Sequence, residues 1–245
     1  LPTEVRILGN YTLDTGDILD NFIIIGQNAN RSQITINPGA SMVGTEIQEA
    51  RVTGNLDGQC ILRYCSIVNL NYVNGYIFTC VIEPGYITLG GTTPALIMDS
   101  KSGEPGLGTP VIRWLPGENT PLAIRGYDGG VELQDKTGDA DVSVDLAAGQ
   151  LKIENTCTNG LIVCRGDGKV IDATTNDHMG SGIYNGNLTL VNEANYGGHV
   201  HEIWERMGLD KDHPVVNRPD GSFDSDNLDV NATVDGSGNI THQRQ

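Results

Sequence analysis

The sequence is poor in aromatic side chains, with three Phe, eight Tyr and two Trp in 245 residues, and poor in basic ones, with fifteen Lys and Arg against thirty-one Asp and Glu. A core short of large rings, in a chain with thirty-two glycines, argues against a compact helical domain and for many short strands joined by turns. The formal net charge of −16 removes the electrostatic grip that nucleic acid phosphates or an anionic bilayer demand, so neither is an expected partner. No apolar run approaches the ~20 residues of a membrane-spanning helix. The longest candidate is Phe22-Ile23-Ile24-Ile25, and no membrane insertion is expected. Cysteine is scarce and odd in number. Cys60, Cys65, Cys80, Cys157 and Cys164 show no CxxC or His/Cys spacing, so buried free thiols are expected rather than a disulfide framework or a metal site, and no cofactor is expected. The chain opens on Leu1-Pro2 without a basic-then-apolar leader, and reads as either a processed protein or part of a longer one. Its length nonetheless suffices to bury a core without staples.

What the chain does contain is a rhythm of short apolar runs closed by Gly, Asn, Asp or Pro, from residue 5 to about 195. Val5-Arg6-Ile7-Leu8, Phe22 to Ile25, Gln33 to Ile36, Cys60 to Leu62, Tyr76 to Phe78, Tyr86 to Leu89, Val111 to Trp114, Leu122 to Ile124, Val142 to Val144 and Leu161 to Val163 read as strands between turns. The spacing suits a sandwich or a barrel, and equally the rungs of a parallel β-helix, a solenoid. Two details favour the solenoid. Cys60 and Cys80 lie about one rung apart and are expected to stack. Gly54-Asn55, Asn69, Asn71, Asn74-Gly75 and Gly90-Gly91 are expected at corners, where the backbone turns through left-handed angles. The predicted organisation is an all-β first part over 1–100, a seam at Lys101 to Gly108, and a β-rich second part over 109–196. In the second part, the alternation in Asp141-Val142-Ser143-Val144-Asp145-Leu146 predicts a half-buried strand.

Near the C-terminus the period changes. Val200, Ile203, Trp204 and Met207 recur at i, i+3, i+4 and i+7, predicting a short amphipathic helix over 198–210 with Gly208 as its stop. So short a helix must dock its apolar stripe, making these four residues the expected interface with Trp204 as anchor. Residues 211–245 are rich in Asp, Asn, Gly and Ser, and read as a polar tail, flexible or ordered only by partners.

The block Ala50-Arg51-Val52-Thr53-Gly54-Asn55-Leu56-Asp57-Gly58, followed by Leu62 to Ile67 and Leu89-Gly90-Gly91, resembles a family of β-helical virion proteins of tailed bacteriophages and prophages. The likeness continues at Ile124-Arg125-Gly126-Tyr127-Asp128-Gly129-Gly130-Val131. It is strongest at Val142 to Gln150 and at Cys157 to Gly168, covering most of residues 45–172. Trp204 to Asp210 with His213-Pro214-Val215-Val216 is similar to a short segment that recurs in phage virion proteins. The resemblance implies a parallel β-helix, a homotrimer, and a fibre or spike attached to the tail or neck beside other virion proteins. It also implies assembly in the host cytoplasm and contact with a host-surface glycan or protein.

Chemistry is harder to read. A glycan-cleaving spike on the same fold needs a carboxylate pair. Asp99, Asp139 and Asp141 are the candidates, with Asp135, Asp145 and Glu104 nearby in sequence, although in so acidic a chain such clusters arise on solvated turns. His199 and His201 form a His-x-His pair that three chains could bring around one metal ion, if the segment were extended. On a helix the two rings point apart. Asp224-Ser225-Asp226-Asn227-Leu228 fails as a calcium loop, with Leu228 where an oxygen ligand belongs. All five histidines lie at or after His178, so no Ser/His/Asp arrangement can be argued. The expected function is structural: a virion fibre or spike contributing to host adhesion. A polysaccharide-degrading tailspike and a non-viral solenoid adhesin are the alternatives.

Overall fold

A computed structural model describes residues 2–102 and 108–174, with strand segments at 184–192, 232–234 and 240–242. Among the described residues there are strands and no helix. In chain order they are β1 Thr3–Arg6, β2 Tyr11–Leu13, β3 Phe22–Ile25, β4 Gln33–Ile36, β5 Glu46–Gln48, β6 Arg51–Arg63, β7 Ser66–Phe78, β8 Val81–Ile82 and β9 Tyr86–Leu89. There follow β10 Ala95–Met98, β11 Lys101–Ser102, β12 Val111–Trp114, β13 Leu122–Gln134, β14 Val142–Ile153, β15 Ile162–Asp172, β16 Tyr184–Asn192, β17 Ala232–Val234 and β18 Ile240–His242. The first sixteen form one sheet, paired in parallel throughout, and β17 and β18 form a separate antiparallel pair.

The register explains the fold. One ladder aligns Val5, Ile24, Ile47, Leu62, Ile77, Ile97, Ile124, Val144, Cys164 and Tyr184, at steps of 19, 23, 15, 15, 20, 27, 20, 20 and 20 residues. Ile24 through Cys164 are all buried. A second ladder aligns Leu13, Ile36, Gly54, Leu70, Ile87, Ile112, Leu133, Ile153, Asp172 and Asn192. The long strands belong to both. β6 pairs with β4 through its first half and with β5 through its second, and β13 meets β10 at one end and β12 at the other. Each turn of chain therefore bends over a corner and returns one strand spacing higher, in the manner of a β-solenoid. The core is the stack of inward side chains between the ladders. The longest step, Ile97 to Ile124, holds the 101–108 segment, and pairing passes across it from β10 to β13.

The corner after the first ladder is built the same way rung after rung. Glu49, Tyr64, Thr79 and Asp99 follow the aligned residues Gln48, Arg63, Phe78 and Met98, and adopt φ of 55°, 56°, 52° and 49°. A left-handed residue turns the chain and leaves carbonyls to be satisfied. The next residue supplies the donor: Cys65 Sγ to Arg63 O at 3.3 Å, Cys80 Sγ to Phe78 O at 3.2 Å, and Ser100 Oγ to Met98 O at 2.9 Å. The same atoms accept from the rung below, Cys65 N to Cys80 Sγ at 3.4 Å and Cys80 N to Ser100 Oγ at 3.1 Å.

This ladder corrects the expected stacking of Cys60 on Cys80. Rungs here are fifteen residues long, so Cys80 lies over Cys65, while Cys60 is aligned with Gly75. All five cysteines are buried thiols, none in a disulfide. Of the expected corners, Gly54, Asn69, Gly75 and Gly91 have positive φ, whereas Asn71 lies within the strand and donates to Asn55 Oδ1 at 2.7 Å. The alternation over 141–146 appears as predicted, with Val142, Val144 and Leu146 buried between less covered neighbours. The expected helix over 198–210 lies outside the described residues, and of the 211–245 tail the hairpin strands β17 and β18 are described.

Candidate functional site

In a strand whose alternate residues fill a core, the intervening side chains face outward. On the first ladder the outward positions form two columns. One reads Glu46, Ile61, Tyr76, Leu96, Ala123, Ser143 and Val163. The other reads Gln48, Arg63, Phe78, Met98 and Arg125. The middle of this face is apolar, with charge at its margins. The face outside the second ladder is more polar, carrying Thr88, Arg113, Glu132, Gln134 and Lys152, with Arg113 Nε donating to Thr88 at 3.0 Å. A solvated sheet face resembles the second, and a concentrated apolar outer patch marks a surface that meets something.

Side-chain size gives the first face its relief. Tyr76 and Phe78 stack with ring centroids 5.9 Å apart and planes 14° from parallel, and the Arg63 guanidinium covers Phe78 at 4.5 Å. Arg63 is itself tied to Glu46 at 2.8 Å. Beyond this raised platform the outward column shrinks to Ala123 and Ser143, leaving a groove of about 420 Å³. Its lining is mostly apolar, from Tyr76, Pro94, Leu96, Met98, Pro121 and Ala123, and Arg125, Asp141 and Ser143 also border it. Tyr76 remains 37% exposed, so a ring face is available to a ligand.

Asp141 is held at the groove by the loop before β14. Lys136, buried inside the loop, donates from Nζ to Gly138 O at 2.6 Å and to Asn159 O at 2.7 Å, tying two rungs together. Burial pulls its ammonium below the ordinary lysine range, while the nearby carboxylates of Asp141 and Asp139 favour the protonated form. Asp139 accepts from Asn159 Nδ2, and Ala140 N donates to Asn119 Oδ1 at 2.5 Å. The loop is thus fixed at both ends, and Asp141 at its exit stays exposed.

Of the sequence-predicted carboxylates, Asp139 and Asp141 lie together in this loop, and Asp141 lines the groove. Asp99 sits at the opposite corner, one residue past Met98, two rungs away. At ~3.3 Å per strand residue and ~4.8 Å per rung, Asp99 and Asp141 are roughly 15–20 Å apart, beyond the ~5–10 Å of a glycosidase acid/base pair. Asp135 forms a corner at φ 58°, where its N–H donates to Thr156 Oγ1 at 2.8 Å, and Asp145 is aligned with Arg165. Glu104, His199, Val200, His201, Ile203, Trp204 and Met207 lie outside the described residues. Among the described residues no group of three His, Cys, Asp or Glu side chains is placed to hold a metal ion.

Sequence reasoning passed over Tyr76, Phe78, Leu96, Met98 and Arg125. A signal was present: Tyr76-Ile77-Phe78 and Leu96-Ile97-Met98 are apolar on both faces of their strands, which a strand with one solvated face does not need. No protein-family model, no curated protein and no solved structure matches the chain.

Proposed function

We propose that the chain is a structural virion protein of a tailed bacteriophage or prophage: a homotrimeric β-helical fibre or spike on the tail or neck that contributes to adhesion on the host surface. The observation carrying this reading is the uninterrupted parallel stack of ten aligned rungs, a rigid rod about 40–45 Å long at ~4.8 Å per rung. Such a rod spans distance and presents its sides and corners, which is what an appendage requires. The resemblance over residues 45–172 supports the virion context, and the outward face with its groove supplies a place for contact. In this reading the Val200, Ile203, Trp204 and Met207 stripe docks the chain on a sister chain or on a tail or neck protein.

Two experiments test it. An antibody against the chain, applied to particles induced from a host that carries this sequence, should decorate the tail or neck in electron micrographs, and undecorated particles containing the protein nowhere would overturn the proposal. Trp204→Ala should weaken assembly or virion attachment while the β-type circular dichroism stays intact. Unchanged assembly and attachment would remove the stripe from the interface.

A further inference from the structure

We propose that Cys65 and Cys80 are a redox-responsive pair: two thiols in the reduced protein, and a disulfide that staples successive rungs of the solenoid once a hydroperoxide reaches them.

The register brings the two side chains together. Arg63 is aligned with Phe78 and Ser66 with Val81, so Cys65 and Cys80, at the corner between, lie directly over each other. At ~4.8 Å between neighbouring strands, their Cα atoms fall inside the ~4.4–6.8 Å that a disulfide spans. Both side chains turn inward, at 2% and 1% exposure, and Cys80 Sγ already accepts the Cys65 N–H at 3.4 Å. Holding the corner does not call for two sulfurs. One rung on, Ser100 makes the same bonds with a hydroxyl, donating to Met98 O at 2.9 Å and accepting from Cys80 N at 3.1 Å. On the other side the column ends at Ala50, which precedes the aligned pair Arg51 and Ser66. The remaining cysteines have no thiol neighbour in register. Cys60 is aligned with Gly75, Cys164 with Val144 and Tyr184, and Cys157 Sγ meets Leu133 O at 3.4 Å.

The two thiols are unequal. The Cys80 side chain, with backbone groups of Ala50, Arg63 and Glu49, holds the Cys65 thiol below the ordinary cysteine range against its burial. The same contact, together with burial, pushes Cys80 up. Cys65 is therefore the nucleophile and Cys80 the resolving thiol. With hydrogen peroxide, the Cys65 sulfur attacks one oxygen, an S–O bond forms as the O–O bond breaks, and the leaving oxygen takes the thiol proton away as water. The Cys80 sulfur then attacks the sulfenic sulfur, the S–S bond forms, and the hydroxyl leaves with the Cys80 proton as a second water. The thiols lose two electrons and the peroxide gains them. Each sulfur lies one residue behind an exposed corner residue, Tyr64 or Thr79, so a small oxidant has a single turn to pass. The closed loop holds one full turn of the solenoid, which then cannot unwind from its neighbour. In a reducing compartment the pair stays as thiols, and the staple forms outside it.

The test uses the full chain, purified reduced, freed of reductant, treated with hydrogen peroxide and then alkylated under denaturing conditions. One disulfide should form, and Cys60, Cys157 and Cys164 should remain alkylatable. The tryptic peptide between Arg63 and Lys101, which holds Cys65 and Cys80 and no other cysteine, should be unalkylated and lighter by two hydrogens. Dithiothreitol should reverse the change, and the oxidised chain should melt roughly 5 °C above the reduced one. Cys65→Ser and Cys80→Ser, each placing at the corner the hydroxyl that Ser100 already supplies, should keep the circular dichroism, form no disulfide within the chain and lose the difference in melting. A native peptide that stays fully alkylatable, or that stops at sulfinic or sulfonic acid, would overturn the pair. So would a disulfide that persists in both serine variants, and equal melting of the oxidised and reduced chains would overturn the staple.

Discussion

Glu83 shows how single residues tie the rungs. Its carboxylate takes Arg51 Nη2 at 2.6 Å and Arg51 Nε at 3.0 Å from two rungs away, and accepts from the Ser66 hydroxyl on the rung between. The Arg51 guanidinium, with help from Ser66, holds the Glu83 carboxyl below the ordinary range against its partial burial. A carboxyl whose folded pKa is depressed stabilises the fold above its unfolded pKa, and that contribution drains as pH falls through the folded value. The loss therefore begins near pH 4.5, the group's ordinary value, and continues below it. Glu83→Gln should cost about 1–2 kcal/mol at neutral pH and flatten the acid side of the stability profile. Urea midpoints measured from neutral pH down to pH 3 check both, and a variant with the wild-type acid slope would contradict the assignment. Gly54 marks the other extreme. It is the one small residue among the inner positions of the second ladder between Leu13 and Ile153, at φ 108°, where an added Cβ would lie 2.1 Å from Ile36 O. Gly54→Ala should cost about 1–3 kcal/mol through backbone strain, read from thermal melts, and an unchanged melting temperature would show that this corner relaxes freely.

Elements in this fold are pieces of a register. Ile124 and Ala123 are sequence neighbours on β13, yet Ile124 lies fully buried between Ile97 and Val144, whereas Ala123 faces out. Ile124→Ala should cost about 2–5 kcal/mol and Ala123→Ser less than about 0.5 kcal/mol; equal costs in chemical denaturation would contradict the inside–outside assignment. Much of this was legible in the residues. Phe22–Ile25, Gln33–Ile36, Tyr86–Leu89 and Val111–Trp114 are strands with the bounds the sequence suggests, because turn residues close each run. The continuity of β6, β7, β13, β14 and β15 was not legible. Gly54 and Gly75 are expected at corners between short runs, but in a solenoid a glycine at positive φ bends a strand over a corner without ending its pairing, as Gly54 and Gly75 do within β6 and β7 and Gly129 and Gly149 within β13 and β14. Rung length was hidden for the same reason, which is why Cys80 meets Cys65 instead of Cys60. The groove was half legible: Asp141 was singled out for its charge, while Tyr76 and Phe78 read only as part of a strand, because sequence alone does not say which face of an all-apolar strand is covered.

At the scale of the whole molecule, the parallel sheet winds on itself and buries its core with none of the five cysteines in a disulfide. Each chain carries a net charge of −16, so association of copies works against mutual repulsion and should strengthen as salt screens it. Light scattering at rising ionic strength would show this as a larger associated fraction, and salt-induced dissociation would instead point to ion pairs holding the copies together. The proposed appendage is a β-helix built from three chains. Its most direct test is the mass in solution of the full chain by size-exclusion chromatography with light scattering. A stable species at three times the 26.2 kDa of one chain is predicted, and a single-chain mass that persists across concentration and salt would contradict it.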